Sequence, residues 1–277
     1  MDIEIKNEEI EQIEEQPKKI IKIIKIISII LISIFLIIIY ARFKATSGLK
    51  INEYKITNDK IPENFHGTKL VQISDIHFGN TINIKELKNI IQEINKTKPD
   101  ILVLTGDLLD KEITEEEKTE IINTLKEIKV TIDKYAIMGD KDYDENLWNE
   151  IIEQSNFINL NNKEKFIYYK NNSKIKITNI DTNNEETYSI YLLHEPDKID
   201  NLQNKFDLIL AGHSLNGQIN IPLIKQLLLP KGAKKYYKKH YEINDTDLYI
   251  SSGLGTTKFK YRLFNKPSIN LYRLTKY

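Results

Sequence analysis

Leu70-Val-Gln-Ile-Ser-Asp-Ile-His77 joins a run of apolar residues to an acid and an imidazole. The apolar run predicts a buried β-strand. On an extended strand, side chains two positions apart point to the same side, so Asp75 and His77 can both reach one metal ion. An isolated Asp-x-His is more often an ordinary strand end. A metal site therefore requires further ligands elsewhere in the chain.

Composition excludes several kinds of protein. Lys plus Arg and Asp plus Glu balance at 40 each, which argues against a nucleic-acid binder that depends on a global positive field. The chain has no cysteine, so disulfides, thiolate zinc sites and cysteine nucleophiles are excluded. With 277 residues, of which 40% are hydrophobic, the chain can bury a substantial core.

The N-terminal region differs in character from the rest of the chain. Residues 1–17 hold seven acids and are predicted to form a disordered or loosely helical tail. Residues 18–43 are predicted to form a transmembrane anchor, because the run from Ile26 to Ala41 is uncharged and almost entirely Ile, Leu and Phe. Residues 44–66 are predicted to be a linker and first strand, and residues 67–277 the main folded domain.

The charges that flank the apolar run predict its orientation. Four lysines precede the run within residues 18–25, while Arg42, Lys44 and Lys50 follow it. The positive-inside rule modestly favours a single-pass cell-membrane protein with a cytoplasmic N-terminus and an extracytoplasmic domain. A cleaved signal peptide is the alternative, since Ala45-Thr-Ser47 is a weak cleavage site. The acidic tail ahead of the basic residues favours the uncleaved anchor.

Strands and amphipathic helices alternate over residues 67 to about 157. The pattern predicts a parallel sheet with crossover helices, in which the ligand crevice lies at the carboxyl ends of the strands. Thr114 and Glu117 form a predicted capping box at the start of one helix. Four polar residues are expected to follow strand ends: Asp75, His77, Asp107 and Asp140.

Beyond about residue 157 the chain becomes β-rich, and polar turns separate six candidate strands. A second sheet packed on the first is therefore expected. The candidates are Phe166–Tyr169, Lys174–Ile180, Tyr188–Leu193, Asp207–Leu210, Leu248–Ser251 and Ser268–Leu274.

Five short motifs occur in order along the chain: Asp75-Ile-His77, Gly106-Asp107, Gly139-Asp-Lys-Asp142, His194 and Gly212-His-Ser-Leu215. Together they resemble the calcineurin-like metallophosphoesterase family. The family pattern is Asp-x-His, Gly-Asp, Gly-Asn-His-Asp, a lone His and Gly-His-x-His. The C-terminal segments Leu229-Pro-Lys-Gly232, Ser251-Ser-Gly-Leu-Gly255 and Arg262-x-Phe-Asn-x-Pro267 resemble the membrane-associated branch related to UDP-diacylglucosamine pyrophosphatases.

The resemblance, over about residues 50–277, implies a four-layer α/β/β/α sandwich that holds two divalent metal ions, Mn, Fe or Zn. It implies that a metal-bound hydroxide attacks a phosphate ester or a pyrophosphate bond. Metal one would be held by Asp75, His77, Asp107 and the second His of Gly-His-x-His. Metal two would be held by Asp107, the Asn position of Gly-Asn-His-Asp, His194 and His213.

The sequence departs from the family pattern at three positions. Leu215 stands at the second His of Gly-His-x-His and cannot coordinate a metal ion. Asp140 replaces the Asn and can still bind metal two through a carboxylate oxygen. Lys141 replaces the family's His and, with its high ordinary pKa, suits charge stabilisation better than proton donation. Lys141 and Asp142 are the expected catalytic residues.

These departures leave two hypotheses. In the first, the protein is a membrane-anchored hydrolase with one tightly bound ion and one that is weak or absent. It would act on a phosphorylated small molecule or a lipid head group. In the second, it is a catalytically impaired, membrane-tethered module that binds a phosphorylated ligand or a single metal ion. The neutral net charge disfavours a nuclease, and no nucleic-acid partner is expected. A basic and aromatic segment, residues 231–241, suits lipid head groups or an anionic substrate, and equally suits a solvated loop.

Overall fold

The computed structural model describes residues 2–170, 172–183, 186–221 and 228–277, those before Lys18 by their backbone only. The chain divides into two compact units, Met1–Lys44 and Ala45–Tyr277. The second unit contains both β-sheets and all of the predicted metal ligands.

The first unit is a single long helix. Helix α1 spans Asp2–Ile39 and is followed by one π-helical turn, Tyr40–Lys44. In the described part of the chain, one segment, Lys18–Lys44, is long and apolar enough to cross a membrane. Its 27 residues would measure about 40 Å as a helix, which exceeds the hydrocarbon core of a bilayer. The helix fits the predicted transmembrane segment. It also includes the acidic segment, whose predicted loose or disordered character stays a prediction.

In the part of the second unit that the structure describes, twelve strands form two six-stranded sheets. The first sheet has the order β1-β12-β2-β3-β4-β5 and the second the order β10-β11-β9-β8-β7-β6. The strands are β1 Lys50–Thr57, β2 Lys69–Ile73, β3 Ile101–Thr105, β4 Asp133–Ile137, β5 Ile158–Asn159, β6 Glu164–Tyr168, β7 Lys174–Thr178, β8 Ser189–Leu193, β9 Leu208–Ala211, β10 His240–Ile243, β11 Thr246–Ile250 and β12 Ser268–Thr275.

Three amphipathic helices cover one face of the first sheet: α2 Ile84–Thr97, α3 Glu115–Lys126 and α4 Glu145–Gln154. Strands β2, β3 and β4 pair in parallel, as the alternation of strands and helices predicts. The predicted capping box at Thr114 and Glu117 is confirmed, because each side chain accepts a hydrogen bond from the other residue's backbone N–H. The crossover helices bring the carboxyl ends of the parallel strands to one edge.

The two sheets pack face to face through a second hydrophobic core. Its members alternate with the helix-facing residues, so that Leu70 and Val103 face the other sheet while Val71 and Leu102 face the helices. The outer face of the second sheet forms a third core with Phe206 and Tyr236. Among the described residues, the 3₁₀ helix Pro196–Asn201 and the adjacent Leu202 pack against this face.

Strand β12 differs from the sequence interpretation, which grouped it with the β-rich second half. It lies in the first sheet, parallel to β1 and antiparallel to β2. Strand alternation predicts which face of a strand is buried but not which partners it pairs with, so the placement could not be read locally. Two strands were missed, β5 with two residues and β10 with an exposed, charged sequence.

Gln72 ties the two sheets together next to the carboxyl ends of their strands. Its side chain is fully buried, and its Nε2 donates to Thr105 Oγ1 and to the Ala211 carbonyl, both at 2.9 Å. Its Oε1 accepts a hydrogen bond from Tyr272 Oη at 2.7 Å. Because Ala211 ends β9, this amide fixes where the following loop leaves the second sheet.

Candidate metal centre

The predicted ligands converge at the carboxyl ends of five strands, β2, β3, β4, β8 and β9. They form two groups whose potential ligand atoms lie within 4.8 Å of one another. Asp107 belongs to both groups and is therefore placed between two candidate ion positions. One group is Asp75, His77 and Asp107, and the other is Asp107, Asp140, His194 and His213.

Asp75 and His77 do not converge in the way the sequence argument assumed. Neither residue lies on the predicted extended strand, because β2 ends at Ile73 and both have left-handed φ angles, 53° and 51°. The predicted extended conformation is therefore wrong at these two residues, although both side chains do face Asp107. Their backbone N–H groups donate to the Gly106 and Asp107 carbonyls, both at 3.0 Å, and these bonds hold the unusual loop.

The motif glycines are required by close approach of the loops. A Cβ added at Gly106 would lie 2.3 Å from His194 Nδ1, and one at Gly139 would lie 2.1 Å from Asp107 Oδ1. Both distances are shorter than any van der Waals contact. Any side chain at either position would displace a candidate ligand, so the glycines let the loops bring the ligands together.

Hydrogen bonds to carbonyl groups fix the tautomers of two histidines. His194 Nδ1 lies 2.8 Å from the Thr105 carbonyl and His213 Nε2 lies 2.7 Å from the Lys231 carbonyl. A carbonyl can only accept, so each of these nitrogens carries a proton. The other nitrogens, His194 Nε2 and His213 Nδ1, face Asp140 Oδ1 at 3.0 and 2.8 Å. This arrangement is typical of metal-binding histidines, in which one nitrogen donates outward and the other binds the ion.

His77 provides an independent test of whether the residues fit a metal ion. Its ring is fully buried, and neither nitrogen has a hydrogen-bond partner among the described residues. Nε2 lies 4.0 Å from Asp75 Oδ1 and 3.8 Å from Asp107 Oδ2, which is too long for a hydrogen bond. A buried imidazole without a partner is costly, and a cation between these three groups would remove that cost.

The charges of the cluster also favour a cation. Burial raises the pKa of Asp75, with the charge of Asp107 adding to the effect. Burial also acts to raise the pKa of Asp107, but His194 and His77 bring it below its ordinary value. For Asp140, hydrogen bonds from His194, His213 and Lys141 outweigh the effect of burial and lower the pKa. The buried carboxylates thus need positive charge beside them. The imidazoles supply it here, and a divalent ion between the same groups would supply it as well.

Lys141 lies at the rim of the cluster. Its Nζ pairs with Asp140 Oδ2, and its side chain is 42% exposed. Burial acts to lower the pKa of Lys141, but the hydrogen bond and the charge of Asp140 raise it above its ordinary value. The side chain therefore carries a positive charge at neutral pH, as the predicted role in charge stabilisation requires.

Asp142 lies behind the cluster and not in it. Its carboxylate accepts hydrogen bonds from the backbone N–H groups of Asp107 at 3.0 Å, Leu109 at 2.9 Å and Gly139 at 2.8 Å. Burial, together with the charge of Asp107, raises the pKa of Asp142 to about 7. Its contacts suit a positioning residue that joins two ligand loops, and they differ from the catalytic role that the sequence predicted.

Leu215 stands beside the Asp75 group without adding a ligand to it. Its side chain is buried, and Cδ2 would lie 2.1 Å from a Cβ added at Gly253, a position that also approaches Asp75 Cβ. The Asp75 group accordingly consists of three residues, with an apolar neighbour where the family pattern has an imidazole.

Sequence reasoning missed two polar residues near the cluster. Asp110 Oδ2 lies 3.6 Å from His77 Nδ1, on the side of the ring away from Asp107. Arg262, which belongs to one of the C-terminal motifs, is fully buried and donates to the Ser252 and Gly253 carbonyls at 2.8 and 3.0 Å. An acid three residues after the Gly-Asp motif was the available signal for Asp110, whereas the burial of Arg262 has no local signal.

The donor set fits a transition-metal ion. Imidazole and carboxylate ligands together suit Mn, Fe and Zn, and the shared carboxylate suits a two-metal arrangement. Asp75, His77 and Asp107 would hold one ion, and Asp107, Asp140, His194 and His213 the other. Divalent-metal binding is therefore the chemistry that the site supports.

The fold and the site define a metal-dependent phosphoesterase. The chain belongs to the calcineurin-like phosphoesterase family, whose model matches residues 68–217, more than half of the sequence. The match begins at β2 and includes all five motifs. Family membership supports a hydrolase that binds divalent metal ions.

Relatives carry the same domain in distant organisms. The chain is 29% identical to the uncharacterized metallophosphoesterase YkuE of Bacillus subtilis, over 85% of this chain and 88% of that protein. It is 24% identical to the transmembrane protein with metallophosphoesterase domain of Danio rerio, over 84% of this chain and 59% of that protein. It is also similar to the crystal structure of TT1561 of Thermus thermophilus, with a TM-score of 0.45, 10% identity and 68% and 90% of the two chains covered.

We predict that Asp142→Ala weakens metal binding about 10- to 100-fold, because the loops that carry Asp107 and Gly139 lose their common hydrogen-bond acceptor. Isothermal titration of the purified full chain with Mn²⁺ measures the change. Asp144→Ala is the matched control, since the Asp144 side chain accepts the Leu147 N–H at the start of α4 and not an N–H that Asp142 binds. An unchanged affinity in Asp142→Ala would contradict the positioning role.

Proposed function

We propose that this protein is a membrane-anchored metallophosphoesterase that hydrolyses a phosphate ester or pyrophosphate bond. The observation that carries the proposal is the position of Asp107, whose carboxylate belongs to both ligand groups. A carboxylate shared by two ions is the feature that two-metal phosphoryl transfer requires. The metal ligands proposed are those that the sequence predicted, Asp75, His77, Asp107, Asp140, His194 and His213.

When bound, the metal ions supply Lewis acidity, which makes a water molecule nucleophilic and neutralises charge on the phosphoryl group. The protein's own residues orient that chemistry. Thr105 and Lys231 hold His194 and His213 through their carbonyls, and the Lys141 N–H donates to Asp107 Oδ1 at 2.9 Å. This bond comes from the backbone of Lys141, so it orients the shared carboxylate without using the Lys141 side chain, which is proposed to contact the substrate.

Lys141 is proposed to stabilise charge and not to donate a proton. Its raised pKa keeps the ammonium form at neutral pH, and its partly exposed position lets it reach a phosphoryl oxygen. The ion at the group around Asp140 would at the same time face an aspartate where the family pattern has an asparagine. The paired substitution leaves the net charge of the site nearly unchanged.

A lipid-linked substrate is the proposed class, with a phosphorylated small molecule as the simpler alternative. The apolar N-terminal helix would keep the domain at a bilayer, and the C-terminal motifs resemble a branch that acts on lipid precursors. The basic segment that suits a head group is partly neutralised. Lys235 pairs with Asp200 at 2.7 Å, and Tyr236 Oη donates to the same carboxylate.

A catalytically impaired binding module is the second candidate, and Leu215 is the observation that favours it. The group around Asp75 has three ligands, so its ion would be held more weakly than the ion at the four-ligand group. A protein that retains only the four-ligand ion would still bind a phosphorylated ligand. The proposed cofactor state is therefore one tight ion and one that is weak or absent.

Hydrolysis of bis-p-nitrophenyl phosphate by the full chain in detergent tests the proposed activity. We expect manganese-dependent turnover that Asp107→Asn reduces to background, because the shared carboxylate loses its charge. Thermal unfolding of Asp107→Asn verifies that the variant is folded. Metal binding without turnover in the wild type would favour the binding module, and binding of no Mn, Fe or Zn would overturn both candidates.

Leu215→His combined with Asp140→Asn and Lys141→His tests the meaning of the altered motifs. We expect the triple variant to bind a second ion tightly and to hydrolyse the diester faster than the wild type, because it regains the missing imidazole. Metal analysis after gel filtration measures the stoichiometry. The pair Asp140→Asn with Lys141→His is the matched control, and equal stoichiometry in both variants would contradict the assignment of Leu215.

The proposed orientation is a cytoplasmic N-terminus with the domain outside the cytoplasm. It is supported by the lysines that precede the apolar run. Protease added to intact cells is expected to digest residues 45–277 and spare an N-terminal tag. Digestion of the domain only after cell lysis would reverse the orientation, and recovery of a chain that begins near residue 48 would indicate a cleaved signal peptide.

A further inference from the structure

The segment 257–266, here called the interfacial loop, exposes large apolar side chains. Phe259 and Phe264 are 71% and 70% exposed. The other phenylalanines of the domain, all within the described residues, are buried or half-buried: Phe65, Phe78, Phe157, Phe166 and Phe206. The exposed phenylalanines of the domain thus lie together in one ten-residue loop.

Hydrogen bonds from the Gln218 side chain hold the backbone of the interfacial loop. Gln218 Nε2 donates to the Phe259 and Tyr261 carbonyls at 3.1 and 2.8 Å, and its Oε1 accepts from Thr257 N–H at 2.9 Å. Arg262 points into the protein and is completely buried. The exposed rings therefore belong to a structured loop, since polar contacts fix the chain on both sides of them.

The loop adopts a strained conformation at one of its exposed rings. Phe264 has a φ angle of 57°, in the left-handed region that bulky residues rarely adopt. Such conformations persist only where the surrounding contacts impose them. Asn265 supplies such a contact, because its Nδ2 donates hydrogen bonds to the Leu215 and Gly217 carbonyls. The residue that follows this exposed ring is thus hydrogen-bonded to the loop that carries His213.

The charge of the loop matches an anionic surface. Residues 257–266 contain four cations and no acid. Arg262 is buried and Lys260 pairs with Glu86, whereas Lys258 and Lys266 are exposed beside the phenylalanines. Exposed aromatic rings flanked by lysines are the composition that binds the interface of an anionic bilayer.

The loop also lies where the chain enters the domain. A Cβ added at Gly48 would be 3.7 Å from Lys266 Nζ, and the Lys50 N–H donates to the Pro267 carbonyl at 2.9 Å. The apolar segment that could span a membrane ends at Lys44. Only four residues lead from Lys44 to Gly48, so the chain enters the domain at this loop directly after the apolar segment.

We infer that the interfacial loop inserts Phe259 and Phe264 into the head-group region of an anionic bilayer and holds the metal centre at a fixed distance from it. The inference rests on the proposed membrane anchoring. Through Asn265, the inserted loop is bonded to the segment 215–217 that follows His213. A phosphate group at the membrane surface is thereby presented to the site without leaving the bilayer.

Depth-dependent fluorescence quenching tests the inference. Phe259→Trp and Phe264→Trp in the full chain are reconstituted into liposomes that contain phosphatidylglycerol and lipids with brominated acyl chains. We expect at least twofold stronger quenching than for Tyr168→Trp, the matched control. Tyr168 is 57% exposed on β6, an edge strand of the second sheet, and carries no role in the site. The native Trp148 is buried and its emission, measured in the wild type, is subtracted.

Flotation of the same liposomes separates this inference from the anchoring on which it rests. A chain that does not float with the vesicles overturns both. A chain that floats, while Phe259→Trp and Phe264→Trp are quenched no more than Tyr168→Trp, overturns the loop inference alone and leaves a protein partner as the occupant. Adding Lys258→Glu and Lys266→Glu to the Phe259→Trp variant should reduce its quenching. Unchanged quenching would overturn an anionic lipid as the partner.

Discussion

Crowding of carboxylates at one edge of the first sheet is the constraint on which this structure depends. Asp75, Asp107 and Asp142 are almost completely buried, and Asp140 joins them at the rim. Like charges in a poorly solvated crevice are unstable unless each has a partner. The surrounding loops supply those partners as backbone N–H groups and imidazoles, and the fold is arranged to deliver them.

The partners come from segments distant in sequence. Asp75 accepts the His213 N–H from the second sheet at 3.0 Å, and Asp142 accepts N–H groups from the loops after β3 and β4. The backbone is left-handed at four residues of these loops, and this conformation directs their side chains and N–H groups into the crevice. The residues are Asp75, His77, Asp107 and His213. Such strain is tolerated because the hydrogen bonds over-determine each loop, and the same bonds leave the ligand atoms pointing at a common space.

The site is asymmetric, and the asymmetry has a physical basis. The group around Asp140 has two imidazoles with fixed tautomers and two carboxylates, whereas the group around Asp75 has one imidazole, two carboxylates and the apolar Leu215 nearby. An ion at the group around Asp140 would be better held than an ion at the group around Asp75. Lys141 compensates for the extra charge of Asp140, so the two substitutions act as a pair and not as independent losses.

The sequence by itself determined the alternation of strands and helices in the first half of the domain and the residues that gather at the candidate metal centre. Alternating strands and helices predicted the parallel β2, β3 and β4, and the order of the motifs named every residue in both ligand groups, because a ligand that follows a strand is marked by its local sequence. Only the tertiary structure decided that β12 enters the first sheet, that Asp142 braces the loops behind the ligands, and that Thr105 and Lys231 set the histidine tautomers. These features are contacts between segments far apart in the chain, and neither periodicity nor motif spacing carries information about them.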